Sequence, residues 1–288
     1  MTVDPLSDCS VVLVNYQTDS LLQTCLESLE KDPPREIFVV DNSGTLREGG
    51  FPSRFPNVEF IENARNLGFA PGCNQGLLKA RGRYLLLLNP DTIVPEGALR
   101  RLAAHLDAHP GVGAVGPQLL NPDGTLQYSC RRFPGYLTIF FGRYSLLTRL
   151  LPQNPVSRRY LYLDWDHASV AEVDWLSGAC LMVRRDVFEW VGPLDEEYFL
   201  FVEDMDWCRR IRDAGFSVVY LPEARVTHRV GASHARLPPE TVLARHRAMF
   251  RYVRKHFRSP RAVEALLGMG LMLRAGIEVF SNAWRGAR

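Results

Sequence analysis

Apolar residues in the first 120 positions of the chain follow two rhythms. Short, largely apolar runs rich in branched side chains at Ser10–Val14, Glu36–Val40, Val58–Ile61, Tyr84–Leu88 and Gly113–Val115 predict buried strands. Between them apolar residues recur at helical spacing over Leu21–Leu29, through Leu77–Ala80 and over Pro95–His109, with Pro33–Pro34 as the stop signal of the first helix. Strands that alternate with helices need crossover connections, and these build a mostly parallel α/β sheet. Ligands of such sheets bind beyond the carboxyl ends of the strands. Polar residues stand at those ends: Asn15 after the first strand, Asp41-Asn42 after the second, Asp91 after the fourth.

The rhythm changes after Gln118. Residues 118–169 read as a long irregular stretch, with Arg131-Arg132-Phe133-Pro134 and a Phe/Tyr/Leu-rich segment running to Leu151. Strand-like runs return at Ala179–Val183 and Ser217–Leu221, flanking a helix over Asp204–Asp213 in which Asp206 and Arg210 are spaced to pair. From Pro239 onward the pattern is helical, Thr241–Phe257 and then Ala262–Trp284, broken at Ser259-Pro260. We therefore expect one domain over 1–238, in two parts that meet at about 118 (to about 118, then 119–238). Basic amphipathic helices over 239–288 would follow.

Composition narrows the class. The 288 residues are 46% hydrophobic and 23% charged, as in an ordinary globular protein. Six scattered cysteines form no CxxC pair, which argues against a zinc ribbon and for small core residues in a reducing compartment. No run approaches the roughly 18 apolar residues of a membrane span, and Met1–Ser10 lacks the apolar core of a signal peptide. A cytoplasmic protein is expected. The net charge of +2 hides an asymmetry: Glu240–Arg288 holds ten Arg or Lys against three Glu, +7, which leaves −5 on the rest. Such a tail suits an anionic membrane surface through residues 241–284, at the inner face of the plasma membrane. Packing on the catalytic domain, or a homodimer, is the competing reading. No groove of interleaved basic and aromatic residues points to nucleic acid.

Candidate chemistry follows the strand ends. Four leucines deliver Asn89-Pro90-Asp91 to the end of a buried strand, where a carboxylate is costly unless a cation meets it. Mg²⁺ or Mn²⁺ bridging a diphosphate fits, and a turn with Asp91 as helix cap is the alternative. His228 is a candidate second ligand and His234 a weaker one. The Gly/Asn-rich run Asn63–Gly76 reads as a tight loop before a helix N-terminus. It matches neither the dinucleotide fingerprint nor the P-loop. Glu203 and Asp204 at a helix entry are candidate general bases, or else merely helix-capping acids. Trp175-Leu176-Ser177-Gly178 places an aromatic and a small-residue turn before a strand, for a sugar face or for the core.

Taken in order, Val11–Tyr16, Val40–Ser43, Asn66–Gly76, Leu88–Asp91, Trp175–Ala179, Glu203–Arg210 and His228 resemble the bacterial family 2 glycosyltransferases of GT-A fold, in the rhamnosyltransferase-like branch. The resemblance spans roughly residues 10–230. It implies that Asn15 and Asp41 contact the base and ribose, and that Asn66, Gly68 and Asn74 line the donor site. It implies that Asp91, the last Asp of a DxD-type motif whose first position here is Asn89, holds the metal with His228. Asp204 would be the catalytic base with Glu203 beside it, and Trp175, Ser177 and Gly178 would face sugar or acceptor. The implied activity is inverting, metal-dependent transfer from a nucleotide-sugar, dTDP-L-rhamnose by resemblance, to a glycan or lipid-linked acceptor. A UDP-hexose donor stays open. So does a non-catalytic sugar-nucleotide-binding protein, and a nucleotidyltransferase is disfavoured because Val14–Gln17 carries neither glycine nor lysine.

Overall fold

The computed structural model describes residues 4–138, 151, 154–229 and 238–286. His234, and the apolar segment after Thr138 up to 150, lie outside the described residues. One curled sheet carries the domain, in the order β3 (Val58–Glu62), β2 (Glu36–Asp41), β1 (Cys9–Asn15), β4 (Tyr84–Leu88), β11 (Cys180–Arg184), β6 (Val112–Leu120), β12 (Ser217–His228), β5 (Thr92–Ile93). The first four strands are parallel, and β6 is parallel to β12. β11 runs antiparallel to both its neighbours, β4 and β6. This is the expected α/β sheet, mostly parallel. The expected boundary at 118 falls inside β6, and β11 from the second half of the sequence lies between two strands of the first.

Helices cover both faces, which is why the central strands read as nearly continuous apolar runs. On β1, Val11 and Leu13 pack with Leu22 and Leu26 of α1 (Asp19–Leu29) and with Leu99 and Leu102 of a later helix, Ala98–Ala108. Val12 and Val14 point the other way, to Ala70, Cys73 and Leu77 of the helix Phe69–Lys79 and to Trp207. All six cysteines are buried free thiols within these layers.

The helix Phe69–Lys79 corrects the sequence reading, in which residues 63–76 form a loop. A Cβ on Gly76 would sit 2.6 Å from Val12 Cγ1, and one on Gly72 would sit 3.0 Å from Val14 Cγ1. The glycines let the helix lie close on β1 rather than break it. β12 also runs past Leu221 to His228, across a register shift between Leu221 and Arg225. Three further α-helices were not foreseen among the described residues, Phe51–Arg54, Pro155–Tyr160 and Arg185–Val191.

The C-terminal helices Pro239–His256 and Arg261–Gly286 pack on each other through Val253, Leu267 and Leu271. Charge fastens the first of them to the helix Glu203–Asp213. Asp206 is fully buried and accepts from Arg210 Nε at 3.0 Å, as the spacing predicts, and from His256 Nε2 at 2.7 Å and Lys255 Nζ at 2.8 Å. Arg251 and Lys255 also pair with Asp195. The outer face of the last helix exposes Leu266, Met269, Leu273 and Ile277. Among the described residues no helix is long and apolar enough to cross a membrane.

Candidate functional site

A cavity of about 530 Å³ opens beyond the carboxyl end of β4. Three sets of residues shape it.

The first set is delivered by sheet register. β4 ends at Leu88, the Asn89 N–H bonds to Ala179 O at 2.9 Å, and β5 then pairs antiparallel with the end of β12, Thr92 opposite His228. This short ladder brings Asp91 Oδ1 to 3.1 Å from His228 Nε2, with Asn89 Nδ2 at 3.4 Å from the same nitrogen. The other ring nitrogen, Nδ1, donates to Gln127 Oε1 at 2.7 Å, and Gln127 is oriented by its own donation to Asn121 Oδ1. In that tautomer the Nε2 lone pair faces a carboxylate oxygen that is buried and accepts no hydrogen bond. Either a proton or a divalent ion can join the two atoms at this distance, and a carboxylate oxygen with an imidazole nitrogen is a donor set that fits a divalent ion. Among the described residues no third His, Cys, Asp or Glu joins the pair. A cation held here by Asp91 and His228 would complete its shell with water and substrate oxygens, as Mg²⁺ sites in phosphoryl chemistry do.

The second set is the entry to Glu203–Asp213. Phe201 and Val202 both hold positive φ, +70° and +75°. For a β-branched residue that backbone is strained, by about 1–3 kcal/mol. The strain turns the chain so that Glu203 and Asp204 both line the cavity. Asp204 Oδ2 accepts from the Gly178 N–H at 2.9 Å and Oδ1 from the Met205 N–H at 2.8 Å. Burial raises the Asp204 carboxyl above its ordinary value, partly offset by these hydrogen bonds and by Arg131. Burial raises Glu203 further, with the charge of Asp204 added, and Glu203 Oε2 has no hydrogen-bond partner. Burial thus opposes charge on both carboxyls, and more strongly on Glu203, while Asp204 is the one held by hydrogen bonds that favour its charged form.

The third set is the small ladder of β8 (Cys130–Arg131) and β10 (Trp175–Leu176), with Trp175 opposite Arg131. Trp175 is buried, donates from Nε1 to Arg132 O at 3.0 Å, and carries the Arg131 guanidinium 4.8 Å over its ring. One face of the ring is thus occupied by Arg131, and Trp175 lines the cavity. Ser177 and Gly178 line the cavity, and a Cβ on Gly178 would stand 3.4 Å from Asp204 Cβ.

The remaining candidates stand apart from the cavity lining. Asn15 and Asp41 are opposite each other in register and fully buried, joined by Asn15 Nδ2 to Asp41 Oδ1 at 3.2 Å. Burial opposes the charge of Asp41, but hydrogen bonds from Ser43, Leu46 and Asn15 outweigh it and hold the pKa low. Asn66 Oδ1 accepts from the Gly68 N–H at 2.9 Å. Gly68, at φ +97°, lies against Phe199, where a Cβ would be 2.5 Å from the carbonyl oxygen. These two residues therefore fix the loop that leads to Asp204. Asn74, expected to line the donor site, has a structural bond of its own. It sits buried within its helix and clamps Leu194 with two backbone hydrogen bonds, Nδ2 to O at 2.9 Å and N–H to Oδ1 at 3.0 Å.

Sequence reasoning missed Gln127, which orients His228, and the cavity-lining Arg245 and Arg274 from the C-terminal helices. No local signal marks Gln127, since its partner is about a hundred residues away. The paired arginines at 131–132 were visible but pointed nowhere without the ladder to Trp175.

Comparison with known proteins follows from this geometry. The family described as "Glycosyl transferase family 2" matches residues 10–189. The chain is 31% identical over 257 residues to the N-acetylglucosaminyl-diphospho-decaprenol L-rhamnosyltransferase of Mycobacterium tuberculosis, covering 83% of this chain and 82% of that one. It is 24% identical to the rhamnosyltransferase WbbL of Escherichia coli, over 76% of this chain and 82% of that relative. In fold it is similar to the mannosyltransferase PcManGT of Pyrobaculum calidifontis, solved with GDP-Man and Mn²⁺. The TM-score is 0.58 at 17% identity, covering 96% of this chain and 73% of that one. The structure of GalNAc-T7 with UDP, GalNAc and Mn²⁺ gives a TM-score of 0.62 at 17% identity, over 85% of this chain and 47% of that one.

Proposed function

The chain belongs to glycosyl transferase family 2 and is a glycosyltransferase; from that premise we propose that it is inverting and metal-dependent, and moves L-rhamnose from dTDP-L-rhamnose to a hydroxyl of a lipid-linked glycan. One observation carries the proposal: a basic carboxylate, Asp204, lines the same cavity as His228, which faces Asp91 across a distance that fits a divalent cation. The rhamnose donor and lipid-linked acceptor are supported by the relatives' activities.

Asp204 takes the proton of the acceptor hydroxyl. The freed oxygen attacks the anomeric carbon from the side opposite the leaving nucleotide diphosphate, so configuration inverts in one displacement. Gly178 and Met205 hold the Asp204 carboxylate in place through their N–H groups. A divalent cation bound by Asp91 and His228 supplies charge neutralisation to the leaving diphosphate. Asn15 and Asp41 brace the ends of β1 and β2, where the nucleotide is proposed to sit. The exposed row Leu266, Met269, Leu273 and Ile277, on a tail of net positive charge, supports contact with an anionic membrane surface.

The test is a donor screen with Mn²⁺ or Mg²⁺ that follows nucleotide diphosphate release. Slow release from dTDP-L-rhamnose that stops with chelator and in Asp91→Ala is expected. Release from a UDP-hexose instead would replace the donor, and no metal-dependent release from any nucleotide-sugar would overturn the proposal.

A further inference from the structure

One wall of the cavity comes from the two C-terminal helices, and it holds a histidine that the transfer chemistry leaves unused. His246 is 3% exposed and lines the cavity. Its Nδ1 lies 2.8 Å from Val242 O. A carbonyl oxygen only accepts, so Nδ1 carries the hydrogen. Burial lowers the pKa of the ring; the bond to Val242 and the charge of Glu278 oppose this, while Arg274 and Arg245 add to it, and the net direction is down. The imidazole is therefore neutral at pH 7, with the Nε2 lone pair as an acceptor. Among the described residues that nitrogen has no hydrogen-bond partner. The buried His167 differs, with one ring nitrogen 3.5 Å from Cys130 Sγ and the other 3.2 Å from Tyr162 O. His228 has both nitrogens engaged as well.

The surroundings define what Nε2 can accept from. An anion brings no hydrogen to it, and a cation would meet the guanidiniums of Arg245 and Arg274 on the same wall. A neutral hydroxyl satisfies both conditions. Met249, Leu271 and the ring of Tyr160 supply apolar surface beside it. A pyranose matches that combination, since it carries hydroxyls on its edge and C–H bonds on its face. Tyr160 also ties the wall to the proposed base, because its hydroxyl feels the charges of both Asp204 and Arg274. The proposed cation pair, Asp91 and His228, belongs instead to the β5–β12 ladder.

We propose that His246 is an acceptor-binding residue: Nε2 accepts a hydrogen bond from a second hydroxyl of the sugar whose reacting hydroxyl meets Asp204, while Met249, Leu271 and Tyr160 pack on the C–H face of that sugar. The inference rests on the transferase reading above and adds to it the residue that reads the acceptor. The C-terminal helices are then a part of the acceptor site.

The probes are octyl glycosides of glucose, galactose, mannose and N-acetylglucosamine, with their monodeoxy counterparts. In the full chain carrying ¹⁵N-labelled histidine, NMR should show His246 protonated at Nδ1 and bare at Nε2. The glycoside that serves as acceptor should move the Nε2 signal and leave His167 in place. His246→Phe keeps a ring in the wall and removes the accepting atom. With the donor that the screen identifies, it should raise the acceptor KM by about five- to tenfold and leave the donor KM within about twofold. His246→Gln offers an oxygen and should recover part of the loss. One monodeoxy glycoside should cost the wild-type protein a similar factor and cost His246→Phe nothing further, the coupling that a merely structural histidine would not show. His246→Leu replaces the Phe variant if that does not fold. A still Nε2 signal with a glycoside that is turned over, or equal losses for every deoxy glycoside in both proteins, overturns the proposal. So does a rise in donor KM with the acceptor KM unchanged. If no donor is turned over, the transferase reading falls by itself. The titration still decides the subsite, supported by a glycoside-dependent shift at Nε2 and overturned by none across the panel.

Discussion

Asp206→Asn should destabilise the protein in a way that fades with acid. Asp206 is fully buried and accepts from Arg210, Lys255 and His256, the contacts that fasten the C-terminal helices to the helix Glu203–Asp213. Burial opposes its charge, but the bonds from His256 and Lys255 and the charge of Arg210 prevail, and its pKa falls from 3.8 to about 2. A folded-state pKa below the unfolded one stabilises the native state at pH above the unfolded value. That stabilisation is lost as pH falls through the folded one. The shift corresponds to about 2.4 kcal/mol at pH 7 and about 1.3 kcal/mol at pH 3, and it vanishes below about pH 2. The isosteric Asn removes the charge and leaves the cationic Arg210 and Lys255 facing a neutral amide, so about 2–3 kcal/mol should be lost at pH 7. In a chain of this size that lowers Tm by about 3–5 °C. Urea titrations of both proteins at pH 7 and pH 3 should show the difference roughly halved at the lower pH. An equal difference at both pH values, or one below about 0.5 kcal/mol at pH 7, would refute the assignment of Asp206 as a charged anchor.

Four further outcomes can be checked. Asn74→Ala removes two buried backbone partners from Leu194 and should cost about 1–3 kcal/mol in urea melts, while the donor KM stays unchanged. A donor KM that rises in the folded variant would restore a donor-lining role. Gly68→Ala puts a Cβ 2.5 Å from Phe199 O on a backbone at φ +97°. It should lower Tm and reduce kcat through displacement of the loop before Asp204; a wild-type melt and rate would mean the loop is looser than it looks. Glu203→Gln replaces a carboxyl whose raised pKa penalises the native state above the ordinary glutamate range and not below it. The variant should therefore gain stability over wild type at pH 7–8 relative to pH 4 and retain most activity. Asp204→Asn should lose about two to four orders of magnitude in acceptor-dependent turnover. Equal damage from both substitutions would dissolve the division of roles between them.

The sequence showed the strands best where burial is two-sided and the ends are sharp. Tyr84–Leu88 is apolar throughout and stops at Asn89-Pro90, and its bounds are those observed. It misled where one residue type serves two purposes: Gly72 and Gly76 look like loop residues but permit a helix to lie against Val12 and Val14. The end of β12 was hidden by the irregularity after Leu221. The site divides in the same way. Asp91, Glu203, Asp204 and His228 stand at strand or helix ends, where a local pattern points to chemistry. Gln127 and the arginines of the tail reach the cavity only through long-range packing, and no window of sequence contains both partners. The tail's charge was legible as a sum, but its Lys255 and His256 are spent on Asp206, which only the fold reveals.

The antiparallel strand β11 has a consequence for how the protein is made. It is the last to be synthesised of the three strands β4, β6 and β11, yet it fills the gap between the other two. Until residue 184 has left the ribosome, β4 and β6 each present a bare hydrogen-bonding edge, and β4 is leucine for four of its five residues. Such edges template pairing between chains. Some ninety residues must be held open before the insertion can close the sheet, a non-local step that slows folding. A nascent chain paused between β6 and β11 is therefore the species most exposed to aggregation and to capture by chaperones. Soluble yield during expression should depend on how fast translation crosses that interval.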